Sequence, residues 1–266
     1  MALTDLKILI RGAGEMASGA GVRLFRAGFR LVFTEVERPL CVRRTVSFAD
    51  AVYEGRAEVE GITAYRVADP GDIPAQWEAG CLAVWVNGDV DAMAAFRPDV
   101  VIDAIIAKRN LGLHAGLADL VIALGPGFEA PRDAHVVIET NRGHNLGRLI
   151  YQGEAEPNTG VPGVISGESS LRVLRAPADG VFESELAIGD RVEAGMIVGS
   201  VAGEAVRAKL SGTLRGQIRS GTPVWAGLKI GDVDPRGQKD FCNTVSDKAR
   251  AIGGAILEAI LRRYNR

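Results

Sequence analysis

Gly12-Ala13-Gly14-Glu15-Met16-Ala17 matches G-x-G-x-x-G/A. In that pattern the first glycine makes a tight turn, the second lets a pyrophosphate approach the backbone, and the third small residue lets helix and strand pack closely. Glu35 lies 23 residues beyond Gly12, where an acid would accept hydrogen bonds from a ribose 2′- and 3′-hydroxyl. No arginine immediately follows it, which favours an unphosphorylated ribose. The same chemistry asks for cationic and amide donors around the phosphates. Arg43 and Arg44, then Lys108, Arg109 and Asn110, then Asn141, Arg142 and His144 supply them from three segments, and Gly125 and Gly127 could leave room for the ligand. Each feature has a plainer explanation: solvated arginines at a helix start, a solvated loop, ordinary glycine turns, a hydrogen-bonded structural histidine, and a turn that binds nothing.

Elements in the right order surround these residues. Leu6, Ile8, Leu9 and Ile10 form a short apolar run, as in a strand buried on both faces of a parallel sheet. Met16, Ala20 and Leu24, alongside Ala17, Gly21 and Phe25, make one face of the following helix apolar and partly small. Gly28 stops that helix, and Phe29 to Phe33 reads as a second strand. The chain from Arg38 starts extended and turns helical near Ser47. Glu58 to Val67 reads as a peripheral hairpin, Pro70-Gly71 as a turn and Ile73 to Ala79 as a short helix. Leu82 to Val86 is another strand, with Asn87-Gly88-Asp89 as turn, Val90 to Phe96 as helix, and Trp85 in the core. Val100 to Ile106 is a buried strand in which Asp103 is costly unless it is paired or sits at the sheet's carboxyl edge. Asp119 to Leu124 and Ala134 to Thr140 complete the series. Each strand runs into a polar or glycine-rich loop, so a parallel sheet would gather these loops at one edge as a single composite site.

Other chemistries lack their residues. His114, His135 and His144 form no H-E-x-x-H pattern, Cys41, Cys81 and Cys242 form no C-x-x-C pair, and no G-x-S-x-G elbow is present. No protein-ligated metal is expected. Cys242 is either a thiol acidified by the following helix or a buried structural one. A net charge of −2 gives no global attraction to nucleic acid. The first residues lack a charged, apolar leader and no stretch is long enough to span a bilayer, so the expectation is a cytoplasmic protein with no membrane partner.

At 266 residues, with 47% hydrophobic content and 33 glycines, the chain suits an α/β protein of two domains. Gln152 to Ser170 is rich in Gly, Pro, Glu, Ser and Asn and marks the boundary. Beyond it Gly180, Gly189, Gly195 and Gly199 recur 32 residues later as Gly212, Gly221, Gly227 and Gly231. Short strands at this spacing predict two interlocked hairpin halves. The A-P-x-x-G and G-D-x-V-x-A-G pieces resemble the lipoyl and biotinyl carrier fold, the barrel-sandwich hybrid. The linking tip, residues 201–205, has no lysine, and Lys209 is expected inside a strand, so a swinging-arm carrier is not indicated. Ser246 and Asp247 cap a final helix whose apolar face is Ala251, Ile252, Ile256, Ile260 and Leu261. Gly253-Gly254 on it points to close approach of another element. The expected fold is therefore a Rossmann-like, mostly parallel sheet domain over residues 1–151 and a linker over 152–172. A small all-β barrel-sandwich hybrid over 173–233 and a C-terminal segment and helix over 234–266, packing back on the core, complete it.

The motifs R-G-A-G-E-M-A-S-G, V-R-R-T-V-S-F-A-D-A-V-Y-E-G, A-K-R-N, G-P-G-F, E-T-N-R-G-H, E-P-N-T-G and S-D-K-A-R-A-I-G-G together resemble the family of selenium-dependent molybdenum hydroxylase accessory proteins known as YqeB. The resemblance covers nearly the whole chain. It implies a maturation role that handles the molybdopterin cytosine dinucleotide or the labile selenium or sulfur ligand of molybdenum. It also implies a molybdenum hydroxylase apoenzyme or another maturation protein as partner. Two readings stand beside it: an NAD-dependent oxidoreductase, against which no ordered Tyr-x-x-x-Lys pair is found, and a non-catalytic interaction scaffold.

Overall fold

A computed structural model describes residues 2–86, 93 and 95–265. The expected turn at Asn87-Gly88-Asp89 and most of the Val90 to Phe96 helix lie outside the described residues. The chain divides into two compact units, one of residues 1–39, 46–159 and 245–266, the other of residues 40–45 and 160–244.

The first unit is built on β1 (Lys7–Arg11), β2 (Arg30–Glu35), β3 (Arg56–Val59), β4 (Ile62–Val67), β5 (Leu82–Val86), β6 (Val100–Asp103), β7 (Leu120–Leu124), β8 (Glu129–Ala130), β9 (Val136–Ile138), β10 (Leu149–Ile150) and β11 (Gly153–Glu154). Nine of these strands form one sheet in the order β10-β9-β7-β6-β1-β2-β5-β4-β3, and β8 pairs with β11 separately. The inner strands are parallel, whereas β3 and β10 pair antiparallel at the two edges. β1 is central because Ile8, Leu9 and Ile10 are apolar on both faces and fully buried. Its neighbours are β2 on one side, with Ile10 opposite Phe33, and β6 on the other, with Ile10 opposite Ile102. The direction of winding therefore reverses at β1.

Helices of this unit include α1 (Glu15–Arg26), α2 (Ala51–Glu54), α3 (Ile73–Glu78) and α4 (Asp247–Tyr264). Ser246 caps α4, its hydroxyl accepting from the Ala249 N–H at 3.3 Å. The small residues of α1 let α4 approach. A Cβ on Gly19 would stand 2.6 Å from Ala249 Cβ and 3.0 Å from Val245 Cγ1, and one on Gly253 would stand 3.2 Å from Ala20 Cα. Because Gly19 meets Ala249 and the later Gly253 meets Ala20 and Arg23, the two helices run parallel. At the other end of α4, the Tyr264 hydroxyl donates to Asp99 O at 2.9 Å, just before β6.

The second unit consists of β12 (Val173–Arg175), β13 (Gly180–Glu183), β14 (Arg191–Val192), β15 (Ile197–Val201), β16 (Glu204–Arg207), β17 (Gly212–Gln217), β18 (Thr222–Val224) and β19 (Lys229–Asp234). They make two four-stranded antiparallel sheets, β12-β19-β17-β14 and β16-β15-β13-β18. The 32-residue repeat maps β13, β14 and β15 onto β17, β18 and β19, and each sheet takes strands from both halves. Its turn glycines share left-handed backbone: φ is +104° and +82° at Gly189 and Gly221, and +88° and +80° at Gly195 and Gly227. Lys209 sits in an exposed bend between β16 and β17, not inside a strand as expected.

The expected fold class is corrected by this topology. Instead of a Rossmann-like, mostly parallel domain followed by a barrel-sandwich hybrid, the protein has a nine-stranded mixed sheet with antiparallel edges and separate antiparallel sheets. The helix α4 is part of the first unit. A doubly wound domain also needs a helix in each crossover. The connections from β6 to β7 and from β7 to β9 contain no α-helix. Gly112 and Gly116 interrupt the first, and Gly125, Pro126, Gly127 and Pro131 the second, which denies either one the uninterrupted run a helix needs.

Candidate functional site at the carboxyl edge of the large sheet

The glycine turn opens between β1 and α1. Gly12 has φ +84° and its N–H donates to Thr34 O at 2.8 Å. A Cβ there would stand 3.3 Å from Ile105 Cα, so the residue must be glycine both for its backbone and for its neighbour. Gly14 is different: its φ is −68°, and a Cβ would meet nothing within 4 Å. The space above it is open. Between them, the Ala13 N–H donates to Glu35 Oε1 at 2.9 Å, while Glu35 Oε2 accepts from the Val36 N–H at 2.9 Å. Burial pushes the Glu35 carboxyl above its ordinary range, against the pull of these two backbone bonds. Each of its oxygens has a further lone pair with which to accept from a hydroxyl. The Ala13 carbonyl accepts from Ser18 Oγ and from the Ala49 N–H, both at 2.9 Å, which pins the turn from the opposite side.

At the point where the winding reverses, Arg11 and Asp103 form a buried ion pair at 2.6 Å. Arg11 Nη2 also donates to Leu111 O at 2.7 Å, and the Ile105 N–H donates to Asp103 Oδ1 at 3.2 Å. The pair ties β1 to the loop that follows β6. Burial pushes the Asp103 carboxyl up, with the Arg11 guanidinium acting the other way. Asp103 thus meets both conditions set by the sequence: it is paired and it is at the carboxyl edge.

The next loops pack on one another. Ile106 and Lys108 adopt left-handed backbone, at φ +59° and +61°. Asn110 engages its own turn, Nδ2 donating to Leu113 O at 2.9 Å and Oδ1 accepting from the Leu113 N–H at 2.7 Å. A Cβ on Gly127 would stand 2.6 Å from Arg109 N, and one on Gly125 would stand 2.5 Å from Thr140 Oγ1. These glycines let three loops close on each other. Lys108 and Arg109 are exposed there.

After β9, Glu139 is 2% exposed and accepts from the Asn141 N–H at 2.6 Å and the Glu156 N–H at 2.7 Å. Asn141 Nδ2 donates to Glu156 Oε2 at 2.7 Å, and hydrogen bonds from Asn141 and Asn145 hold the Glu156 carboxyl below its usual range. Arg142 forks Asp247 at 2.6 and 2.9 Å. His144 is exposed in the same turn. Beside Asp247, Lys248 is half-buried. Burial and the charge of Arg142 hold its ammonium below the usual lysine range, while Glu15 and Glu139 raise it and Lys108 lowers it further.

The structure therefore brings Gly12, Gly14, Glu15, Glu35, Lys108, Arg109, Asn110, Gly125, Gly127, Asn141, Arg142 and His144 to the carboxyl edge of the first unit. Arg43 and Arg44 belong to the second unit. Arg43 Nη2 donates to Phe241 O and Arg44 Nε to Gln217 O, each at 2.9 Å. Sequence reasoning missed Arg11 and Lys248. The available signals were a cation ending an apolar strand directly before the glycine turn, and a lysine in the first turn of the last helix.

Cys242 resolves the two readings left open for it. Its thiol is 1% exposed in the second unit, and burial pushes its pKa up despite Arg43 and Arg215. In the folded protein, iodoacetamide should label Cys41 and Cys81 well before Cys242, as peptide mapping will read; equal labelling would contradict the burial.

Among the described residues no three His, Cys, Asp or Glu side chains are grouped to hold a metal ion, and no helix is long and apolar enough to cross a membrane.

No family model matches the chain. Two solved structures similar to it are an aspartoacylase family protein from Mesorhizobium loti and the product-bound ectoine utilization protein EutE (DoeB) from Ruegeria pomeroyi. The first is 13% identical, covers 79% of this chain and 58% of its own, and has a TM-score of 0.26. The second is 11% identical, covers 86% of this chain and 85% of its own, and also has a TM-score of 0.26. Likenesses of that size carry no argument here. A protein of Escherichia coli K12, named as uncharacterized protein YqeB, is 47% identical over 254 residues, which are 96% of this chain and 47% of that protein. The chain spans about half the length of the curated relative it matches. Nearly every residue of the chain lies inside that alignment, so its similarity to YqeB runs along almost its whole length.

Proposed function

We propose that the chain is a nucleotide-binding accessory factor whose first unit holds a nucleotide or dinucleotide, NAD or a molybdopterin cytosine dinucleotide, at the carboxyl edge of its large sheet. In this reading it serves the maturation of selenium-dependent molybdenum hydroxylases, with the apoenzyme or another maturation protein as partner. The observation that supports the nucleotide most directly is the pairing of Gly14 with Glu35. Gly14 has ordinary backbone and open space where a phosphate would lie, although neither its conformation nor its packing requires a glycine. Glu35 stands on the adjacent strand, with its carboxylate fixed by two backbone N–H groups and able to accept from a ribose hydroxyl. A nicotinamide ligand would supply hydride transfer when bound, and a molybdopterin one would be cargo. The residues of the chain bind and orient; Lys108, Arg109 and Arg142 supply positive charge from loops that lie against one another.

The test is calorimetric titration with NAD and with cytosine dinucleotide cofactor, together with native mass spectrometry of the purified protein. Gly14→Val should abolish binding while leaving the melting temperature within a few degrees of wild type, because a side chain at φ −68° in open space strains nothing and only the preference of the α1 N-cap for glycine over valine is lost. Wild-type affinity in that variant, or no affinity of the wild type for any nucleotide, would overturn the reading.

A further inference from the structure

We infer that Lys248 is the phosphate-binding side chain of this site, delivered to the glycine turn by the last helix of the unit; the ligand class is an organic pyrophosphate. The inference rests on the nucleotide reading above and deepens it.

The argument starts from how α4 is placed. Gly19 and Gly253 bring its backbone against α1, and the parallel register sets the first turns of the two helices at the same edge of the sheet. Lys248 lies in the first turn of α4 and Glu15 in that of α1. Asp247, the residue before Lys248, is held by both terminal nitrogens of Arg142 from the loop after β9, which fixes the start of α4 to that loop.

Lys248 itself has only charge interactions with Glu15 and Glu139. Among the described residues it donates no hydrogen bond and closes no ion pair, although it is half-buried. A partly desolvated ammonium normally finds a carboxylate. Glu15 and Glu139 act on it only through their charge, and Glu139 is already accepting from two backbone N–H groups, while the neighbouring Asp247 is forked by Arg142. What surrounds Lys248 besides Glu15 and Glu139 is like charge, from Arg142 and Lys108. Three cations on three different elements, only Arg142 of them closing an ion pair among the described residues, make a place that a polyanion would stabilise. The charge-assisted hydrogen bonds it accepted would replace the solvation that burial removes. The open space at Gly14 supplies room for it on the α1 side.

The test compares wild type, Lys248→Gln and Lys248→Arg in titrations with inorganic pyrophosphate and with NAD, with melting temperature recorded for each. The expected result is pyrophosphate binding weakened about tenfold or more in Lys248→Gln and largely restored in Lys248→Arg, the loss of one charge-assisted hydrogen bond. If wild type binds pyrophosphate in this way but NAD no better, the anion subsite stands and the dinucleotide reading falls. NAD binding that is equal in wild type and Lys248→Gln overturns the role of Lys248 and leaves the dinucleotide reading in place. Wild type that binds neither overturns both.

Discussion

Asp103→Ala should destabilise the protein by about 3–5 kcal/mol, more than any other single side-chain truncation at the carboxyl edge. Arg11 is 7% and Asp103 2% exposed, so removing the carboxylate leaves a guanidinium buried with only the Leu111 carbonyl and little water. The same loss frees the Ile105 N–H and with it the loop that carries Lys108. Arg11→Met should cost a similar amount for the mirror-image reason, an uncompensated buried carboxylate. The double variant Arg11→Met/Asp103→Leu should recover most of the loss, because apolar replacement of both partners removes the desolvation cost along with the attraction. Urea denaturation of Arg11→Met, Asp103→Leu and their double variant closes the cycle and gives the coupling. Single variants that each cost less than about 1 kcal/mol would mean that the pair is screened by water and does not tie β1 to the loop after β6.

The unevenness of what could be read from the sequence follows from the range of the interactions. The β1–turn–α1–β2 segment was legible because its signals are local: apolar runs, the spacing of Gly12, Gly14 and Ala17, and the acid at Glu35. The repeat in the second unit was legible for the same reason, since left-handed turns at Gly189 and Gly221 demand glycine wherever they recur. The need of Asp103 for a partner was readable, but not that Arg11 meets it, because 92 residues separate them and only the parallel register joins them. Arg43 and Arg44 were expected at the edge beside β2 on sequence proximity. Yet the Gln217 N–H donates to Val42 O at 2.7 Å, and that short segment belongs to the second unit. The fold class went astray where glycine and proline replace helices in the crossovers, a feature visible in the sequence but read only as loops.

The second large effect concerns Gly253 and Gly254, adjacent in α4 and opposite in what they do. Gly253 faces α1, and a Cβ on it would stand 3.2 Å from Ala20 Cα and 3.2 Å from Gly19 O, which are backbone atoms that cannot rotate away. Gly254 would meet nothing within 4 Å. Gly254→Ala should therefore stabilise the protein by about 0.5–1 kcal/mol through helix propensity alone. Gly253→Val should destabilise it by about 1–3 kcal/mol by forcing two packed helices apart. Gly19→Val should do the same from the other side, where its side chain would collide with Ala249 and Val245. The two losses should be less than additive, because one separation of the helices relieves both collisions. Thermal denaturation reads the sign of each change. Titration with pyrophosphate reads something further, since Gly253 is one turn and a half below Lys248 and touches no part of the carboxyl edge. If α4 delivers Lys248 to the site, Gly253→Val weakens pyrophosphate binding while the protein is still folded, and Gly254→Ala leaves it unchanged. Equal affinity in a folded Gly253→Val variant would show that the contact between the helices holds the unit together without positioning the lysine.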